Sequence, residues 1–330
     1  MRMRPPERRR PPTPARRVGP WALCAGLLLA GCTQPVARLA GGDTLAPPWA
    51  LQALPGSEAG ARLWALERAA RVPPLRYRVV VVPGSGCAGM GPLAERYFAG
   101  LLHAEVLVLH KRGVHPGDRT PPDQCPSGFV QADALSTWRA DAQAALQAWA
   151  AGPGRADALP TVLVGISEGG ELLPHLAPQV PRLAGLVLLS ASGLDPREAG
   201  RLQAQRLGAQ AAWRALEQAQ AGPQPDSDVV QGRSLRYWRA LWRWRVAQPL
   251  IDEPWPLLQV WGAADALVPP AAYERFAARA QGRTAPFCSH RLPQADHGLQ
   301  SPQGDGVALL WARLEQWARQ PDKGWCAPWP

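Results

Sequence analysis

What constrains this chain most is an alternation of short apolar runs with longer stretches of helical periodicity. Arg78–Val82 is β-branched almost throughout and stops at Pro83-Gly84. Ala104–Leu109, Thr161–Gly165, Leu183–Leu189 and Leu257–Trp261 follow, with a weaker run over Ala285–Leu292. Runs this short, apolar without alternation, fit strands covered on both faces. Between them lie helical segments: Gln131–Ala151, which halts at Gly152-Pro153, then Glu168–Leu176, Ala271–Ala280 and Val307–Arg319. Strands alternating with helices assemble into a mostly parallel sheet flanked by helices. Ala61–Ala69 is expected to pair with the first of these strands as an antiparallel edge.

The alternation breaks once. Residues 194–255 carry no convincing strand and are dense in Gln, Ala, Arg and Trp, so they read as a helical lid inserted into a core of residues 59–193 and 256–330. Trp238, Leu241, Trp242 and Val246 share one helical face. Packing onto the core is the first reading of that face; the wall of a substrate pocket and an arginine/tryptophan membrane contact are the others. With 330 residues, 46% hydrophobic and 19% charged, the chain can bury one large core with insertions.

The formal charge of +10 misleads, because residues 1–31 supply +6 of it. Seven arginines there, Arg2 to Arg17, precede an apolar run, Trp21–Ala30, that is too short for a bilayer of about 20 helical residues. The order is that of a signal peptide, and Leu29-Ala30-Gly31-Cys32 resembles a bacterial lipobox, which implies lipidation of Cys32. Residues 32–58, rich in Gly, Pro and Ala, are then a tether. The mild remaining charge gives no reason to invoke nucleic acid. Export to the periplasm is expected, with the outer membrane favoured because Thr33 is not acidic. Four cysteines remain for that oxidising compartment, Cys87, Cys125, Cys288 and Cys326. They allow three connectivities. Cys87–Cys125 with Cys288–Cys326 is the expected one, and no C-x-x-C spacing suggests a metal.

Gly165-Ile166-Ser167-Glu168-Gly169 matches G-x-S-x-G. The pattern alone arises by chance on the order of once in ten such chains. Its context is more specific, since it closes a β-branched strand and opens a helix, as a turn presenting a nucleophilic serine requires. A serine hydroxyl needs a base, and the base an orienting carboxylate. Of the six histidines only His297 lies in a loop after the last strand, and Asp265, in Gly262-Ala-Ala-Asp265, follows the strand before it. Ser167, Asp265 and His297 stand in the chain order of the α/β-hydrolase fold. Asp296 adjoins His297 and is a weaker acid candidate; His175, His103, His110, His115 and His290 read as packed or surface residues. For the oxyanion, the amide of Glu168 is one expected donor. Ser85, in Pro83-Gly84-Ser85-Gly86-Cys87, is the other, with Gly86 next.

Gly165-Ile-Ser-Glu-Gly-Gly170 with Glu171-Leu-Leu-Pro174, His110-Lys-Arg-Gly-Val114, the helix Asp133–Trp149 and Gly262-Ala-Ala-Asp265 together resemble bacterial α/β-hydrolases whose nucleophile turn reads G-x-S-E-G-G. The resemblance spans roughly residues 75–320 without the lid. It implies an α/β-hydrolase fold and a serine hydrolase similar to esterases and prolyl-type peptidases, acting on an acyl substrate without metal or organic cofactor. Pro83 and His110 depart from the histidine and aspartate usual at those places. A carboxylic-ester hydrolase of the cell envelope is the leading expectation. A peptidase or acyltransferase of the same fold, and a catalytically silent binding module, are the alternatives.

Overall fold

The computed structural model describes residues 49–153, 155 and 158–329. Cys32, Thr33, the signal peptide and the first part of the expected tether lie outside the described residues. Eight strands form the central sheet: β1 (Ala50–Pro55), β2 (Arg62–Arg68), β3 (Tyr77–Val82), β4 (Ala104–Leu109), β5 (Thr161–Ile166), β6 (Leu183–Leu189), β9 (Leu257–Gly262) and β10 (Phe287–Leu292), in the order β1-β2-β4-β3-β5-β6-β9-β10. From β4 to β10 every pairing is parallel, while β1–β2 and β2–β4 are antiparallel. β7 (Val229–Val230) with β8 (Arg233–Ser234), and β11 (Gln300–Ser301) with β12 (Gly304–Asp305), are two-residue ladders outside it.

β3 shows why the runs are continuously apolar: all six of its residues are buried. Val80 and Val82 face a cluster containing Trp138, Leu146, Leu172 and Leu176. Val79 and Val81 face a second containing Phe98, Leu101, Trp311 and Trp317. Successive side chains point to opposite faces, so a strand covered on both sides has no polar positions. The helices doing the covering are α1 (Gly91–Tyr97) and α10 (Gly306–Arg319) on one face and α3 (Leu135–Ala150) on the other.

Two expectations at the edge need correcting. Residues 50–55 are not tether: β1 pairs along its whole length with β2, from Ala50 opposite Glu67 to Pro55 opposite Arg62. The following turn is held by the wholly buried Asp141 of α3, which accepts hydrogen bonds from the Ser57 amide (2.9 Å) and hydroxyl (2.7 Å). β2 is an antiparallel edge as expected, but its partner is β4, because β3 already has β4 and β5 on its two sides.

Between β6 and β9 the chain runs through α5 (Pro196–Arg206), α6 (Gln210–Ala221), the β7–β8 hairpin, α7 (Leu235–Arg243) and α8 (Ala247–Asp252). The hairpin turns at Gln231-Gly232, both with positive φ, and this tight turn between two-residue strands is too small for an apolar pattern to announce. The Ser234 hydroxyl accepts from the Tyr237 amide and so starts α7. Trp242 stacks on Trp213 of α6, while Tyr237, Leu241 and Trp244 bury against the core. Both disulfides join as expected, Cys87–Cys125 and Cys288–Cys326. Among the described residues no helix is long and apolar enough to cross a membrane.

Candidate active site

Ser167 sits where β5 ends, at φ 52°. A non-glycine residue in that left-handed region is strained, at a cost of order 1–3 kcal/mol, and persists only where its surroundings enforce it. They do so here through glycines. A Cβ on Gly165 would lie 2.4 Å from the Gly170 Cα, and one on Gly169 would lie 2.0 Å from the Val82 carbonyl oxygen. The chain therefore reverses against β3 with no room for side chains, and only the serine projects. The expected helix over Glu168–Leu176 is a 3₁₀ turn, Ser167–Leu172, followed by the single α-turn α4 (Leu173–Leu176).

His297 arrives from the loop after β10, and its carbonyl accepts from the Ser190 hydroxyl at 2.6 Å. Its Nε2 lies 3.0 Å from Ser167 Oγ and its Nδ1 2.8 Å from Asp265 Oδ2. Asp265, 1% exposed, follows β9. Its Oδ1 accepts from the amides of Leu267 and Val268 at 2.8 and 2.9 Å, and its Oδ2 also accepts from the Tyr273 hydroxyl at 2.7 Å. Burial alone would raise this carboxyl; the hydrogen bonds from His297, Val268 and Tyr273 outweigh it and hold it below its ordinary value. Tyr273, buried beside that carboxylate, is pushed well above the usual phenol range. Its position on α9 (Pro270–Ala280) carries no motif, and the sequence reading missed it.

The other acid and base candidates have separate partners. Asp296 accepts from the Gln300 amide. His110 is buried, accepts from the Met90 amide and is lowered to about 4 by burial. His175 meets the Arg245 carbonyl and Trp244, His103 the carbonyls of Val72 and Pro74, His115 the Gly117 amide, and His290 stacks on Trp329.

The loop from Pro83 to Cys87 passes directly beside Ser167, with the Cβ that Gly84 lacks only 3.2 Å from that of Ser167. Ser85 and Gly86 follow at once, and Cys87, 4% exposed, is tied to Cys125. The Glu168 side chain turns inward. Its carboxylate pairs with Lys111 Nζ (2.5 Å) and accepts from the Tyr237 hydroxyl (2.8 Å), with Arg233 at 3.9 Å. Asp133 completes the cluster, 3.0 Å from Lys111 and bonded to Arg233. Burial would lower the Lys111 ammonium, but Asp133 and Glu168 more than offset it and hold it above its ordinary value. Burial would likewise raise Glu168, and Lys111 and Arg233 bring it below. Lys111 belongs to the turn after β4, Asp133 precedes α3, and Arg233 and Tyr237 come from the insertion.

A cavity of about 410 Å³ opens under the insertion. Ser85 and Glu168, the chain neighbours of Gly84 and Ser167, line one part of it. Trp213, Trp238, Leu241 and Val268 line it, as do Arg233, Tyr237 and Glu171. Glu171 is the other residue the sequence reading left without a role. Burial and the nearby Glu168 raise its carboxyl well above the usual range.

No protein-family model matches the chain, and no curated protein matches it in sequence. Solved structures do. Est1E from Butyrivibrio proteoclasticus is similar with a TM-score of 0.55 at 15% identity, over 82% of this chain and 98% of that one. Alpha/beta hydrolase domain-containing protein 10 from mouse gives 0.55 at 17%, over 82% and 99%. A Mycobacterium tuberculosis puromycin-hydrolyzing peptidase gives 0.53 at 19%, over 86% of this chain and 41% of that one. Together with the strand order, these place the chain in the α/β-hydrolase fold.

Proposed function

We propose that the protein is a serine hydrolase of carboxylic esters, with Ser167 as nucleophile, His297 as base and Asp265 as the acid that orients it. The observation that carries this reading is the unbroken chain of contacts from Asp265 Oδ2 through the imidazole to Ser167 Oγ, at 2.8 and 3.0 Å, with the serine on strained backbone. In the first step His297 Nε2 takes the Ser167 proton as Oγ bonds to the acyl carbon. The tetrahedral oxyanion is held by the amides of Glu168 and Ser85, with Gly86 beside it, each such donor being worth several kcal/mol. Collapse expels the alcohol, which leaves with the proton from His297. A water, deprotonated by the same imidazole, then releases the acid and restores Ser167.

The two disulfides support an exported protein, and the lipobox supports anchoring at the periplasmic face of the envelope through Cys32. Hydrolysis of p-nitrophenyl esters from acetate to laurate by residues 34–330, beside Ser167→Ala, tests the catalytic reading. Activity lost in the variant, with fluorophosphonate labelling of Ser167 in the parent, is the expected result. Neither hydrolysis nor labelling would leave a silent binding module as the better reading.

A further inference from the structure

The charges around the nucleophile turn do not balance. Lys111 and Arg233 are the two cations, and Asp133 and Glu168 are the two anions paired with them. Glu171 is a third carboxyl in the same region, and among the described residues it makes no ion pair and no side-chain hydrogen bond. Its Oε2 is buried without a partner. Burying a carboxyl with neither a counter-ion nor a donor is costly, and such groups are rare unless something bound supplies the missing partner.

The position of Glu171 says what that partner is. It lies about one turn beyond Ser167 and forms part of the wall of the cavity that Ser85 and Glu168 line. Arg233, Tyr237 and Gln203 also line it, but Arg233 is bonded to Asp133, Tyr237 to Glu168, and Gln203 to the Ala266 carbonyl and Arg206, while Trp213, Trp238, Leu241 and Val268 are apolar. A single carboxylate cannot hold a divalent cation, which needs several oxygens. It can hold one ammonium through a charge-assisted hydrogen bond. Resting on the serine hydrolase reading above, we infer that Glu171 receives a protonated amine carried by the acyl group, so that the substrates are esters of amino acids or of similar short amino acids.

The test compares kcat/KM for the benzyl esters of L-alanine and of propionic acid and for monobenzyl succinate, all below the pKa of the amine. The alanine ester presents an α-ammonium to the cavity, the propionate ester only a hydrogen in its place, and the succinate ester a carboxylate at the end of its acyl chain. The native sequence should prefer the alanine ester over the propionate ester at least tenfold and take the succinate poorest. In Glu171→Gln the alanine-to-propionate ratio should fall to near one, while Glu171→Asp, which keeps the charge, should retain part of the preference. Fluorophosphonate labelling of each variant reports that its active site is folded. Equal rates on alanine and propionate esters, or a preference that survives in Glu171→Gln, would overturn the inference and leave the hydrolase reading standing. Absence of hydrolysis of all three, with no label on Ser167, would instead sink the hydrolase reading itself.

Discussion

Asp265→Asn changes the size of the side chain hardly at all, yet every partner of Asp265 is a donor: the amides of Leu267 and Val268, the Tyr273 hydroxyl and His297 Nδ1. The two backbone amides cannot turn away, so the carboxamide oxygen of asparagine must take the Oδ1 place and its NH₂ the Oδ2 place. There it faces Tyr273 and His297. The tyrosine hydroxyl can rotate to accept; the imidazole can accept only by moving its proton from Nδ1 to Nε2. That tautomer points a hydrogen at Ser167 Oγ, 3.0 Å away, and can no longer take the serine proton. In Ser-His-Asp triads such a loss is on the order of 10⁴-fold in kcat, or about 5.5 kcal/mol of transition-state stabilisation. The assay is kcat/KM on p-nitrophenyl butyrate with the melting temperature as control. Tyr273→Phe is a calibrating variant: it removes one neutral donor and should cost roughly 0.5–1.5 kcal/mol of orientation, about a tenfold loss at most. A fall of less than tenfold in a folded Asp265→Asn protein would refute the tautomer argument and, with it, the role given to Asp265.

Other consequences bear on stability. Lys111→Met leaves Asp133 and Glu168 buried with Arg233 as their one cation and should cost about 3–5 kcal/mol in urea denaturation. Replacing Cys288 and Cys326 together by serine opens a loop with a sequence separation of 38 and should cost up to about 4 kcal/mol, read as a lower melting temperature while Ser167 still labels. Glu171→Gln should stabilise the protein, and increasingly so as pH rises. The native carboxyl is held well above the unfolded value of about 4.3, so above that pH the folded state binds more protons than the unfolded one and the native chain loses stability that the amide keeps. A melting-temperature difference that shrinks between pH 4 and pH 8 would contradict the burial argument.

The sequence disclosed those parts that rest on periodicity and covalent order. The runs over 78–82, 104–109, 161–165, 183–189 and 257–261 are strands within a residue or two, because both faces of the sheet are covered and each position must be apolar. Ser167, Asp265 and His297 could be picked out because each follows a strand, and the geometry brings these three together. β1 was hidden because an edge strand half in solvent tolerates Ala, Gln and Pro, giving no continuous run. Tyr273 and Glu171 gave no sign because their significance is three-dimensional: a hydroxyl on a helix meets a carboxylate eight residues earlier, and a glutamate is notable only for the partner it lacks. The β7–β8 hairpin could not be seen at all from an apolar pattern two residues long.

Glu168 links the turn at Ser167 to the insertion in a way that bears on the proposed mechanism. Its amide is one of the two proposed to hold the oxyanion, and its side chain is gripped by Lys111 from the turn after β4 and by Tyr237 and Arg233 from the insertion. A backbone amide can act on developing charge only if it is already oriented when the charge appears. Here the orientation depends on groups far from Glu168 in the chain, 57 residues for Lys111 and 69 for Tyr237, and two of the three belong to the segment that roofs the cavity. The same contacts that close the roof therefore fix the donor. Displacing the insertion would empty the cavity and also free the Glu168 carboxylate to draw its own amide out of line. Substrate binding under the roof and stabilisation of the oxyanion are then not separable by point substitutions at Tyr237 or Arg233. Changes at either should lower kcat together with affinity, whereas changes at Trp213 or Trp238, which touch the cavity without touching Glu168, should act on affinity alone.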